Sequence, residues 1–229
     1  MRTKEDFLNG QVLLIDKPLD WTSFQVVNKL RWAIRKEFDI KKIKVGHAGT
    51  LDPLASGLLI LCTGKFTKKI DTFQAQEKTY TGSFTLGATR PSYDMETEVD
   101  AEYPIDHISD ADLERVRLSF CGEIDQVPPI FSALKKDGKK LYELAREGKT
   151  TEIPSRKITI FEFKLTSVEL PVVRFEVKCS KGTYIRSLAH DFGKALKSGA
   201  YLSELRRTEI GDFKVDDAQS IEDFLEFKN

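Results

Sequence analysis

Asp52 stands inside Gly46-His47-Ala48-Gly49-Thr50-Leu51-Asp52-Pro53-Leu54-Ala55-Ser56-Gly57, a stretch with three glycines and a single carboxylate. Glycines open backbone angles and close approaches that side chains block, and the residue before Pro53 is pushed out of the helical region toward extended geometry. A carboxylate set in such a shaped loop can stabilise cationic character at a neighbouring carbon, attack it, or remove a nearby proton. The residues alone do not choose among these. They also leave open a bland alternative, an Asx-type turn in which Asp52 only accepts backbone hydrogen bonds. A second candidate group is Arg186, in Lys181-Gly182-Thr183-Tyr184-Ile185-Arg186-Ser187-Leu188. Its alternative is an exposed helix arginine.

The elements around these groups are legible from periodicity. Leu58 to Cys62 is an apolar run that reads as a buried strand anchoring the Asp52 loop, and Val12 to Ile15 is another, ended by the Asp16-Lys17-Pro18 turn. Thr22 and Gln25 have capping-box spacing, and Phe24, Val27, Leu30 and Ile34 recur at helical spacing to about Glu37. Gly64 to Asp71 reads as a short helix. Lys78 to Gly87 alternates as a strand that puts Tyr80, Phe84 and Leu86 on one face. Ser109 can cap a helix through about Phe120, and Gly148 can close a short helix after Lys135. Ile158 to Val168 and Val172 to Cys179 read as a hairpin. In the helix after Tyr184 the stripe Ile185, Leu188, Ala189, Phe192 and Leu196 leaves Arg186 off the apolar face.

With 229 residues, 40% hydrophobic and 31% charged, the chain is long enough for one large globular domain or two small ones; one domain spanning 1–229 is expected, with 201–229 as a short closing segment. No apolar run approaches the roughly 20 residues of a membrane span, and Met1 to Gly10 has no signal-peptide core, so a cytoplasmic protein is expected. Cys62, Cys121 and Cys179 are odd in number and far apart, which signals neither a disulfide framework nor a zinc site. Basic and acidic residues balance at 36 each, so net charge argues for no polyanionic partner, but their distribution does. Lys29, Arg31, Arg35, Lys36, Lys41, Lys42 and Lys44 precede the Asp52 loop against only Glu37 and Asp39. Basic runs beside a catalytic loop suit a phosphate backbone. A second basic block, Lys135 to Lys149, interleaves with Tyr142 and follows Phe131, the combination that suits unstacked RNA bases.

The Asp52 stretch resembles, over twelve consecutive residues, the catalytic-loop motif of the tRNA pseudouridine-55 synthases, the TruB family; Ser56 departs where threonine is commoner. Further blocks resemble the same family in the same order. These are Asp16-Lys17-Pro18, the P-x-x-S-A-x-K from Pro129 to Lys135 with G-x-x-x-Y-x-x-A-R-x-G from Gly138 to Gly148, the K-G-T-Y-I-R-S-L that carries Arg186, and the L-R-R-T-x-x-G that opens at Leu205. The resemblance implies that Asp52 is catalytic, that Arg186 pairs with it, and that Tyr80 lies against the target base. It further implies that His47 fills the space a flipped base vacates. Lys17, Asp94, Lys135, Tyr184 and Leu205 are carried over as substrate-contacting residues, with Asp94 on a loose local match.

The fold it implies is α+β: a pseudouridine synthase fold with a large, mainly antiparallel mixed sheet, flanking helices and a central catalytic cleft. The implied reaction turns uridine-55 in the T loop of tRNA into pseudouridine after base flipping, without cofactor or metal, by a monomer that requires no protein partner. No PUA domain is expected after the closing segment. Two other classes compete. A non-catalytic RNA-binding or RNA-folding module explains the cations and aromatics but not Asp52 with Arg186, and a glycoside or nucleoside hydrolase normally needs two carboxylates where only one has a motif.

Overall fold

The computed structural model describes residues 2–132, 134–136, 138–148 and 151–226. A reciprocal Thr3–Asp6 capping box opens α1 (Lys4–Asn9), a helix the periodicity reading passes over although its S/T-x-x-acid signature is present. β1 (Val12–Lys17) follows, then α2 (Ser23–Glu37) with Thr22 and Gln25 as the capping box. Phe24 departs from expectation: it is 63% exposed, because the buried stripe is Val26, Val27, Leu30, Ala33 and Ile34 and residue 24 lies about a third of a turn around the helix from the centre of that stripe. β2 (Val45–His47) and β3 (Ala55–Thr63) flank the Asp52 loop. The expected short helix is a 3₁₀ segment, Gly64–Lys69, running into α3 (Ile70–Ala75).

Then come β4 (Lys78–Leu86), the short pair β5 (Ala88–Thr89) and β6 (Ala101–Glu102), α4 (Asp110–Ser119) capped by Ser109, and β7 (Gly122–Gln126). A small ribbon, β8 (Lys135–Lys136) with β9 (Lys139–Lys140), leads to α5 (Leu141–Arg146), and Gly148 closes it in the left-handed region. The expected hairpin is β10 (Arg156–Glu169) and β11 (Val172–Cys179), and α6 (Ile185–Ala195) carries the expected stripe. The tail holds β12 (Ala200–Ile210), β13 (Phe213–Lys214) and α7 (Ile221–Leu225), which Ser220 caps.

These elements form two compact units, Met1–Tyr80 with Leu205–Asn229, and Thr81–Glu204. In the first, β1 and β2 both run antiparallel to β3, while Leu205–Arg207 of β12 pairs in parallel with Ala55–Gly57. β3 is buried on both faces, which is why it reads as an unbroken apolar run. Leu59 and Leu61 pack with Phe7, Ile15, Leu30 and Phe224 on one face; Leu58, Ile60 and Cys62 pack with Ile210 on the other. In the second unit β10 is antiparallel to both β11 and β7. Phe84 stacks at 4.3 Å on Phe175 and 5.5 Å from Phe192 of α6, so one aromatic cluster fixes that helix. Mainly antiparallel pairings among the described strands, with β12 parallel to β3, and flanking helices make the α+β mixed architecture expected.

Candidate active site

In the first unit the Asp52 loop is held from several sides. Ser23, the first residue of α2, accepts the Leu51 N–H at 2.9 Å and donates its hydroxyl to the Leu51 carbonyl at 3.1 Å. The Asp52 carbonyl accepts from Ala55 N–H at 3.1 Å, and that of Pro53 from Asp20 N–H at 2.9 Å. The Asp52 side chain is half-buried. A Cβ on Gly57 would stand 2.3 Å from the Arg207 carbonyl oxygen, and Gly57 itself has φ +106°, so only glycine lets β12 lie this close to the end of the loop.

Arg207 is the group that residue-by-residue reading misses. It is 1% exposed; its Nε donates to the Leu58 carbonyl at 2.8 Å and its Nη2 to the Gly49 carbonyl at 3.2 Å. One guanidinium therefore ties the chain before Asp52 to the chain after it. Its neighbour Arg206 makes a two-pronged bond to Asp16 at 2.7 and 3.0 Å, fixing the turn that carries Lys17. The L-R-R-T block was the available signal, since two consecutive arginines in a strand must point to opposite faces.

Lys17, expected among the substrate contacts, is 0% exposed, and its ammonium donates to the Pro18 and Trp21 carbonyls at 2.8 and 2.7 Å. Burial drives its pKa down to about 8, against the pull of the Asp52 carboxylate, with Arg207 pushing the same way as burial. An unfolded lysine holds its proton to 10.5, so between about 8 and 10.5 the unfolded chain binds more protons. The stability of the wild type relative to Lys17→Met should therefore improve as pH rises through that window. Parallel unfolding curves across it would contradict the buried ammonium.

His47 is half-buried in β2, and burial, reinforced by Arg207, holds its pKa below the usual imidazole value, so the ring is neutral at pH 7. Tyr80 is buried in β4, and Leu205 sits half-buried in β12 opposite Ala55. Lys17, His47, Asp52, Tyr80 and Leu205 thus all belong to the first unit.

Asp94, Lys135, Tyr184 and Arg186 belong to the second. Arg186 is 5% exposed, which removes the exposed-helix alternative. Its Nη1 donates to the Phe131 carbonyl at 2.9 Å, and its Nε lies 3.5 Å from the Asp94 carboxylate, itself 6% exposed. The loose sequence match at Asp94 thus falls on a buried carboxylate paired with the candidate arginine. The start of α6 lacks a side-chain cap of its own; instead the buried Gln126 amide accepts from the Tyr184 N–H at 2.8 Å and donates to its carbonyl at 3.0 Å. The Tyr184 ring lies under the Arg156 guanidinium at 4.6 Å. Lys135 is in β8; its side chain lies outside the described residues. Among the described residues no cluster of histidine, cysteine and carboxylate side chains could hold a metal ion, and no helix is long and apolar enough to cross a membrane.

Solved structures with this architecture include the crystal structure of a Cbf5–Nop10–Gar1 complex, which matches 99% of this chain and 57% of that one with TM-score 0.73 and 30% identity. A further match is the structure of an H/ACA RNP bound to a substrate RNA containing 2′-deoxyuridine, covering 99% of this chain and 56% of that one, with TM-score 0.70 and 28% identity. The chain thus spans just over half the length of these solved proteins. Its fold is that of the pseudouridine synthases. Residues 35–185 match the N-terminal domain model of the TruB family pseudouridylate synthases, and residues 186–229 match the C-terminal domain model of tRNA pseudouridylate synthase B. The chain is 60% identical to tRNA pseudouridine synthase B of Flavobacterium johnsoniae over 98% of both, and 52% identical to that of Phocaeicola vulgatus over 97% of this chain and 94% of the relative. The chain belongs to the TruB family of pseudouridine synthases.

Proposed function

We propose that this chain isomerises uridine-55 in the T loop of tRNA to pseudouridine, with Asp52 as the catalytic carboxylate and Arg186 as its cationic partner. The observation that carries the reading is the Asp52 loop: twelve residues of family motif, secured by Ser23 and Arg207 at its two shoulders. The near full-length likeness to tRNA pseudouridine synthases B supports tRNA as the substrate.

The reaction breaks the bond from ribose C1′ to uracil N1, turns the base and joins C1′ to C5; the C5 proton leaves to solvent and N1 takes one up. Nothing is oxidised. Asp52 acts at C1′ or its neighbouring proton, and a guanidinium beside it keeps the carboxylate charged and aimed when the pocket excludes water. The target base is stacked in its loop and must first be turned out, at a cost of a few kcal/mol. Tyr80 offers the extruded base a stacking face, while a neutral, flat His47 ring can enter the stack in its place without bringing a charge among the bases. We place the enzyme in the cytoplasm, acting as a monomer.

Unmodified tRNA carrying tritium at C5 of its uridines tests this. Wild-type protein should release tritium while every base stays attached, and a transcript with cytidine at position 55 should release none. A pure RNA-binding module would release none from either transcript, and a hydrolase would free uracil.

A further inference from the structure

The Arg186–Asp94 pair sits beside a contact that the reaction does not use. Arg90 to Tyr93 is a turn closed by Tyr93 N–H on the Arg90 carbonyl at 2.9 Å, and Tyr93 takes φ +64°, the left-handed region where glycine or asparagine is the easy choice. The chain instead has a tyrosine there, with its ring stacked on His190 at 4.0 Å and 18° between planes. His190 lies one helical turn after Arg186 on α6, so the two side chains project from neighbouring positions of one helix. Both residues that flank Tyr93 meet Arg186, which also donates to the Phe131 carbonyl. Ser92 presents its carbonyl to Arg186 Nη1 at 3.4 Å, and Asp94 brings its carboxylate to within 3.5 Å of Nε.

The His190 Nδ1 is buried without a hydrogen-bond partner among the described residues, so that nitrogen does not hold the ring in place, whereas its face meets Tyr93. The Tyr93 carbonyl accepts from Leu202 N–H at 2.9 Å and the Ser92 hydroxyl meets the Thr97 hydroxyl at 2.8 Å, which tie the loop to the strand and to itself, while the Tyr93 ring faces α6.

We propose that Tyr93 and His190 are positioning residues: their stack holds the residue 92–94 loop in a conformation its backbone would otherwise leave, and thereby fixes the orientation of the Arg186 guanidinium. The inference rests on the reading of Arg186 as the active-site cation. Loss of the stack lets Tyr93 relax to negative φ, which turns Ser92 and Asp94 away from Arg186 together. A ring of the same shape at position 190 preserves the brace whether or not it carries nitrogen.

His190→Ala should lower kcat for tRNA about tenfold with KM within twofold, and His190→Phe should restore kcat to within twofold of wild type. With kcat counted per folded enzyme, a scaffold role that only lowered the folded fraction would leave kcat unchanged in His190→Ala. The Arg186 Nε–H resonance, read without substrate, should shift in His190→Ala and return in His190→Phe. Folded His190→Ala with wild-type kcat and an unmoved resonance, or a phenylalanine variant as impaired as the alanine one, would overturn the brace. Absence of tritium release from wild-type protein would instead overturn the functional reading, and the resonance would still report on the brace by itself.

Discussion

Asp52→Asn should reduce kcat on unmodified tRNA by roughly 10³-fold or more while the tRNA Kd stays within a few-fold of wild type. The substitution keeps the side chain's shape and one acceptor oxygen and removes only the charge. The bonds that shape the loop, between the Ser23 hydroxyl and the Leu51 backbone and from the Ala55 N–H to the Asp52 carbonyl, involve no carboxylate oxygen and should persist. Binding energy in an RNA complex is dominated by phosphate contacts, which one neutralised carboxylate does not weaken. The loss therefore belongs to the transition state: positive character at C1′ meets an amide dipole where it requires a full negative charge. Single-turnover measurement with saturating enzyme isolates that step from product release. Turnover within tenfold of wild type would remove Asp52 from the chemistry and leave the turn-aspartate alternative standing.

The same loop shows how far residues alone lead. Its motif is local, and local signals survive in sequence: the glycine angles, the proline restriction, and the helix caps at Thr22 and Ser109 all appear where the residues put them. Periodicity likewise gives the buried run of β3 and the apolar stripe of α6. What stays hidden is long-range. Phe24 fits a helical repeat as well as Val26 does, and only the strand against which α2 packs decides between them. Arg207 meets Gly49 and Leu58 across about 150 positions of chain, and no property of an arginine in a strand announces that it is buried. Lys17 reads as a turn lysine and is one, but its burial depends on Trp21 folding its carbonyl back over the ammonium. Asp94 meets Arg186 from far along the chain, and its local sequence does not announce that partner.

Arg207→Met is expected to show what that hidden residue contributes. Methionine fills most of the volume and removes the charge and the donors, so the Gly49 and Leu58 carbonyls lose a buried partner each. The cost should be about 3 kcal/mol, which for a chain of this size lowers Tm by roughly 6–12 °C. Stability alone would make Arg207 an ordinary buried tie, but its charge also acts on the loop. It helps to hold the His47 pKa below the ordinary imidazole value, so its removal should let that pKa climb back, readable as an earlier loss, at higher pH, of the neutral ring's NMR signals on acidification. The Lys17 pKa should rise for the same reason. Activity measured well below the lowered Tm should fall further than the folded fraction does, because a loop released at Gly49 no longer fixes the carboxylate three residues on. Arg207→Lys keeps the charge but cannot span both carbonyls. If it restores the His47 titration and not the activity, the clamp and the charge are separate contributions of one side chain; if it restores both, the second carbonyl bond carries no catalytic weight.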